Sequence, residues 1–144
     1  MNTTLNAVFA SRASWGLSVI RIIVGVIFMA HGAQKLFGLF GGGGLAGTAQ
    51  FMESLGLAPG LLMALLSGGA EFFGGLALVI GLLVRPAAVA LTITLIVAIF
   101  SVHISNGLFM ANNGYEFALA LMAGTVAVLI EGAGKASLDR LIAR

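Results

Sequence analysis

Four long apolar runs, each interrupted by few polar side chains, dominate the chain at about residues 15–37, 60–83, 86–105 and 115–131. A helix of about 20 apolar residues crosses the roughly 30 Å hydrocarbon core of a bilayer, and the fourth run approaches that length when Glu131 closes it. Pro59 and Pro86, the only prolines, fall at the starts of the second and third runs. There a residue without an N–H costs a helix nothing. The pattern predicts an all-α, integral membrane four-helix bundle formed by a single domain over residues 1–144. Arg12 precedes the apolar stretch from Leu17 to Ala30 in the manner of a secretory signal. That stretch runs on through Lys35 to Phe37, so it reads as a retained first span. Between the glycine run Gly41 to Gly44 and Pro59, the segment Thr48 to Leu55 reads as a short helix lying on the outer interface. Thr48 would be its cap, with Phe51, Met52 and Leu55 on one face; a plain loop is the alternative.

Composition sharpens this picture. Hydrophobic residues make up 60% of the chain and charged residues 8%, with a mean hydropathy of +1.12. Soluble proteins carry about 25% charged residues, and no water-soluble surface can be built from so few. The net charge of +2 comes from basic residues spread along an apolar chain, without the aromatic-interleaved patch that nucleic acid requires. The absence of cysteine excludes disulfides, a CxxC redox pair and thiolate metal sites. Redox chemistry would then depend on a bound cofactor, a quinone or a partner. With four crossings, Arg12, Arg85, Lys135, Arg140 and Arg144 share one side, Arg21 lies near it, and Lys35 stands on the other. The positive-inside rule puts both termini in the cytoplasm and the loops at 38–59 and 106–114 outside.

Polar groups within the spans are costly and usually mark function. Arg21, Gly25, Phe28, His31, Gly32 and Lys35 share one side of the first helix, and Ser67, Gly68, Glu71, Gly74 and Gly75 share a face of the second. His103 is in phase with Thr92, Ile96 and Ile99, with Asn106 about a turn further on. Glu116 is in phase with Ala120, Ala123 and Ala127. At about 1.5 Å per residue, Glu71 lies near the bilayer centre, Arg21 toward the cytoplasm, and His31, Lys35, His103, Asn106 and Glu116 in the outer half. The expectation is an outward-opening ligand pocket lined by the last five, above a buried ion pair of Arg21 with Glu71. Plainer roles compete: Lys35 can snorkel, and Glu116 can sit at a helix N-terminus for the dipole alone. His31, His103 and Glu116 lack the spacing of a metal motif, and no metal is expected.

The run Arg21-Ile22-Ile23-Val24-Gly25 followed by His31-Gly32-Ala33-Gln34-Lys35-Leu36-Phe37-Gly38 resembles the first span of DoxX-family membrane proteins. The resemblance continues through Gly56-Leu57-Ala58-Pro59, Glu71-Phe72-Phe73-Gly74-Gly75, Gly81-Leu82-Leu83, Arg85, Asn106-Gly107 and Gly114-Tyr115-Glu116, and covers about Ser14 to Asp139. It implies a four-span protein of the bacterial inner membrane, from a family associated with quinone-linked sulfur oxidation and with resistance to redox or quinone stress. A quinone suits a pocket of apolar walls with donors such as His31, Lys35 and His103. The lack of cysteine departs from thiol-oxidising membrane quinone reductases. The resulting expectation is a membrane component of a quinone-linked redox or detoxification system. His31 or His103 would exchange protons with the ligand, Lys35 would orient a carbonyl, and Arg21 with Glu71 would fix the floor. Two alternatives are a small transporter or exporter using the same residues as a proton relay, and a non-catalytic scaffold for redox-enzyme partner subunits.

Overall fold

A computed structural model describes residues 3–143, which form helices joined by turns. A short helix α1, Thr3–Phe9, precedes the first long helix α2, Trp15–Phe37. Ser14 caps α2 by accepting the Leu17 N–H, and Gly38 ends it in the left-handed conformation at φ 70°. Next come α3, Gly44–Ser54, and α4, Gly60–Ile80. Helix α5, Val84–Ala98, runs on through a π turn at Ile99–His103 and a 3-10 turn at Ile104–Asn106. Helix α6, Glu116–Glu131, and the short α7, Leu138–Ile142, complete the order.

Glycines set the central crossing, because α2 and α4 meet backbone to backbone. A Cβ on Gly25 would lie 2.7 Å from the Gly75 carbonyl oxygen, and one on Gly32 would lie 2.6 Å from the Phe72 Cα. Small residues permit such approach where hydrophobicity alone cannot drive helices together. Helix α6 packs along α5 and α2, with Leu121, Val128, Leu91, Leu95 and Phe28 in the core and a Thr92–Thr125 hydroxyl hydrogen bond of 2.8 Å crossing between α5 and α6. Outside this core, Ile23, Val26, Leu65, Phe73, Ile96 and Phe100 point outward, as a surface solvated by lipid allows. Three helices, Trp15–Phe37, Gly60–Ile80 and Val84–Asn106, are long and apolar enough to cross a membrane. The 16 residues of α6 reach about 24 Å beside them. The architecture is an all-α membrane bundle.

Several expectations need correction. Helix α4 stops at Ile80 rather than continuing to residue 83, because Gly81 turns left-handed at φ 76°. Helix α5 starts at Val84, so Pro86 sits inside its first turn, where N–H groups still lack intrahelical partners. Helix α3 begins at Gly44, one turn before Thr48. Thr48 is therefore no cap: its hydroxyl faces the Gly44 and Lys35 carbonyls at 2.7 and 3.1 Å. Helix α6 turns Ala118, Leu121, Thr125 and Val128 inward, leaving Ala120 and Ala123 of the expected stripe exposed. Packing of Leu121 and Val128 and the Thr92–Thr125 bond, rather than the alanine stripe, sets its rotation.

The basic residues gather at one end. Arg12 pairs with Glu131 at 2.7 Å, Arg85 donates to the Ala10 and Ile130 carbonyls, and Lys135 lies 5.3 Å above the Trp15 ring. Arg144 lies outside the described residues.

Candidate functional site

Lys35 and Glu71 form an ion pair in the heart of the bundle. Lys35 comes from the last turn of α2, and Glu71 from the middle of α4, on a face where Gly68 and Gly75 let α2 draw close. A Cβ on Gly68 would come within 2.8 Å of the Leu36 side chain. The Lys35 backbone is held in turn by the Thr48 hydroxyl. Glu71 is 6% exposed, and Lys35 is its hydrogen-bond partner.

The expected Arg21–Glu71 pair does not form. Helices α2 and α4 run antiparallel with Gly25 on Gly75 and Gly32 on Phe72, so the cation level with Glu71 is Lys35. Arg21 is level with Leu78, seven residues or about 10 Å further along α4. Arg21 is 0% exposed and donates to the carbonyls of Leu78, Val79, Ala133 and Ala136. The first two belong to the last turn of α4, where carbonyls have no intrahelical partner and the helix dipole favours a cation. The neighbouring Asp139 does the converse at the start of α5, where its carboxylate accepts the Leu83 and Val84 N–H groups at 2.7 and 3.0 Å. Leu83 takes φ 52°, unusual for a side chain with a Cβ, and this bond helps hold it there. Arg21 and Asp139 thus tie the α4–α5 turn to the segment after α6, and Arg21 is a structural clamp at the basic end.

The ion pair borders a cavity of about 660 Å³ between α3, α4 and α5. Phe51 and Met52 of α3 and Leu55 just after it, the face expected from sequence, form one wall. Ser67 and Thr94 also line it, but their hydroxyls bond to Ala64 and Ala90 carbonyls of their own helices, which leaves these walls effectively apolar. His103 stands at the outer end. A regular helix would carry His103 on the side of Thr92, which faces α6 instead. The π turn, in which the Ile104 N–H reaches back to the Ile99 carbonyl, adds a residue to the turn and rotates His103 onto the cavity face. Its Nδ1–H donates to the Asn113 carbonyl at 2.9 Å, so Nε2 is left as an acceptor.

Of the five residues expected to line one pocket, Lys35 and His103 do so and the other three do not. Asn106 donates to the Val102 and Asn113 carbonyls, holding the outer turn that also carries His103. Glu116 accepts the Met110 N–H at 3.0 Å and braces the loop before α6. His31 is exposed on α2 one turn before Lys35, with its ring 6.0 Å from Phe117 of α6, and it does not line the cavity. Sequence reasoning missed Asp139, although Ser137 two residues earlier is the sort of cap that announces a helix start. It placed Ser67 on the Glu71 face without assigning it to a pocket, and it missed Thr94 and Ser101 as lining residues, for which the hydropathy pattern carried no signal.

Comparison with known proteins gives a consistent picture. Residues 16–104 match the DoxX family. The chain is 35% identical over 106 residues to "Putative oxidoreductase CatD" of Bacillus subtilis, covering 74% of this chain and 72% of that one. It is 33% identical over 133 residues to the inner membrane protein YqjF of Escherichia coli, covering 88% and 92%. An uncharacterized membrane protein of Mycobacterium tuberculosis is 30% identical over 135 residues, covering 87% and 80%. No solved structure matches the chain. With more than half of its length matched and its apolar helices packed as a bundle, this chain is a bacterial inner-membrane protein that belongs to the DoxX family.

Proposed function

We propose that the protein is the membrane component of a quinone-linked redox or detoxification system and holds a quinone or similar small molecule in the cavity between α3, α4 and α5. The observation that carries this reading is the combination of apolar walls with the Lys35–Glu71 pair at the cavity's inner part and His103 at its outer end. Apolar enclosure with a few placed polar groups is the usual character of a small-molecule site. An ammonium has three N–H donors, so Lys35 can hold Glu71 and still donate to a ligand carbonyl. The Nε2 of His103 suits the hydroxyl of a reduced ligand. The name of the Bacillus relative points to the same class of chemistry. On the positive-inside rule, the end bearing Arg12, Arg85, Lys135 and Arg140 faces the cytoplasm and the His103 end faces out.

Titration of the purified protein with a water-soluble benzoquinone analogue tests this. Saturable binding is expected, weakened about tenfold or more by Lys35→Met and to a lesser degree by His103→Ala. Absence of binding, or binding that neither substitution alters, refutes it.

A further inference from the structure

The cavity has a second property, in where it opens. Along α5 its lining runs from Ala90 to His103, which makes it about 20 Å long, a slot rather than a compact pocket. Helix α3 packs on α4 and α2, while α5 packs on α4 and α6. Among the described residues, the side between α3 and α5 therefore has α4 as its floor and no helix as its roof. Four residues that line the slot, Phe51, Leu66, Ile93 and Val97, are also among the exposed large apolar side chains. Ile93 is 57% exposed and lies in the middle of an apolar helix long enough to cross the membrane, where the surrounding medium is hydrocarbon.

The charge inside the slot limits what enters. Lys35 and Glu71 cancel, so the inner part presents donors without net positive charge. An anionic phosphate would gain no free cation there and would meet the Glu71 carboxylate. A neutral head group that accepts hydrogen bonds meets neither obstacle.

We infer that the slot takes its ligand sideways from the bilayer: a neutral, hydrogen-bond-accepting head group lies against the Lys35–Glu71 pair, and an apolar tail leaves between α3 and α5 into the lipid. This rests on the reading of the cavity as a ligand site and narrows the ligand from any small quinone-like molecule to a lipid-phase, tailed one. The open apolar side explains why a slot of this length has so few polar groups: most of it contacts tail, and only the inner part contacts head group.

The experiment uses the full chain in phosphatidylcholine nanodiscs and a benzoquinone bearing a ten-carbon tail with a diazirine at its far end. After irradiation, mass spectrometry is expected to find the label on Phe51, Leu66, Ile93 or Val97. An excess of the same quinone without its tail should compete the label away, and Lys35→Met should lower labelling at least fivefold. Label on the outer turn between Gly107 and Asn113 would mean that the tail leaves toward the aqueous side, and would overturn the inference. Loss of label on adding anionic phosphatidylglycerol at equal mole fraction would assign the slot to a phospholipid and overturn it equally. If the untailed quinone binds and the tailed one gives no saturable label, the sideways route fails while the quinone site stands. If neither binds, the proposed function itself fails.

Discussion

Replacing Lys35 by Met removes the hydrogen-bond partner of a carboxylate buried in the bundle. Glu71 keeps 8% of its side-chain exposure and Lys35 keeps 27%. Breaking one side of a buried pair costs roughly 3–5 kcal/mol, because the remaining charge is left in a medium that does not solvate it. Lys35 is itself partly exposed, so the pair is not wholly desolvated, which places the Lys35→Met loss near the lower bound, about 3 kcal/mol. Glu71→Gln should cost less, about 1–2 kcal/mol, since the orphaned ammonium sits on a flexible stem able to swing toward the membrane surface. The double substitution leaves no unpaired charge and should fall well short of the sum, with a coupling of about 2 kcal/mol. The assay is denaturant or thermal unfolding of all four proteins in one detergent. Additivity within about 0.5 kcal/mol would refute the pairing. The matching cycle of Arg21→Met with Glu71→Gln should be additive, and a coupling there as large as that of Lys35 would show that Arg21 is the true partner of Glu71.

Three other predictions test the frame around the site. Arg21→Lys should not rescue the loss caused by Arg21→Met, because one ammonium cannot span carbonyls that the guanidinium reaches from three nitrogens; each carbonyl left unpaired costs about 1–3 kcal/mol, and unfolding midpoints read the difference. Gly32→Ala should destabilise by about 1–3 kcal/mol, since its Cβ meets the Phe72 backbone rather than a side chain able to move, whereas Gly47→Ala, with open space around it, should be neutral or stabilising; equal unfolding midpoints for the two variants would contradict the close crossing. Because the native chain lacks cysteine, single cysteines at Ala111 and Ala136, both exposed, report sidedness: an impermeant thiol reagent applied to cells should label Ala111→Cys and spare Ala136→Cys, and the reverse pattern would invert the orientation.

The helices, and the places where they can touch, are legible in the amino-acid order. Length and hydropathy set the spans, Pro59 and Pro86 mark two helix starts to within two residues, and the glycines at 25, 32, 68 and 75 mark the α2–α4 contact. Each of these is a local property, carried by helical period, missing N–H groups or missing side chains. Partner choice is not local. Arg21 and Lys35 lie on the same side of α2, and only the antiparallel register set by the glycine contacts decides that Lys35 meets Glu71 while Arg21 meets the end of α4. Helix α6 shows the same limit: in lipid the outside of a bundle is as apolar as the inside, so hydropathy cannot tell its alanine stripe from its buried Leu121–Thr125–Val128 face. His103 is legible as a residue but not as a direction, because one π turn shifts the phase of every side chain beyond it. The cavity belongs wholly to the tertiary structure. It exists because α3, joined by its own loops, folds back on α4 and leaves the space beside α5 unfilled, and no property of one helix specifies a gap between three.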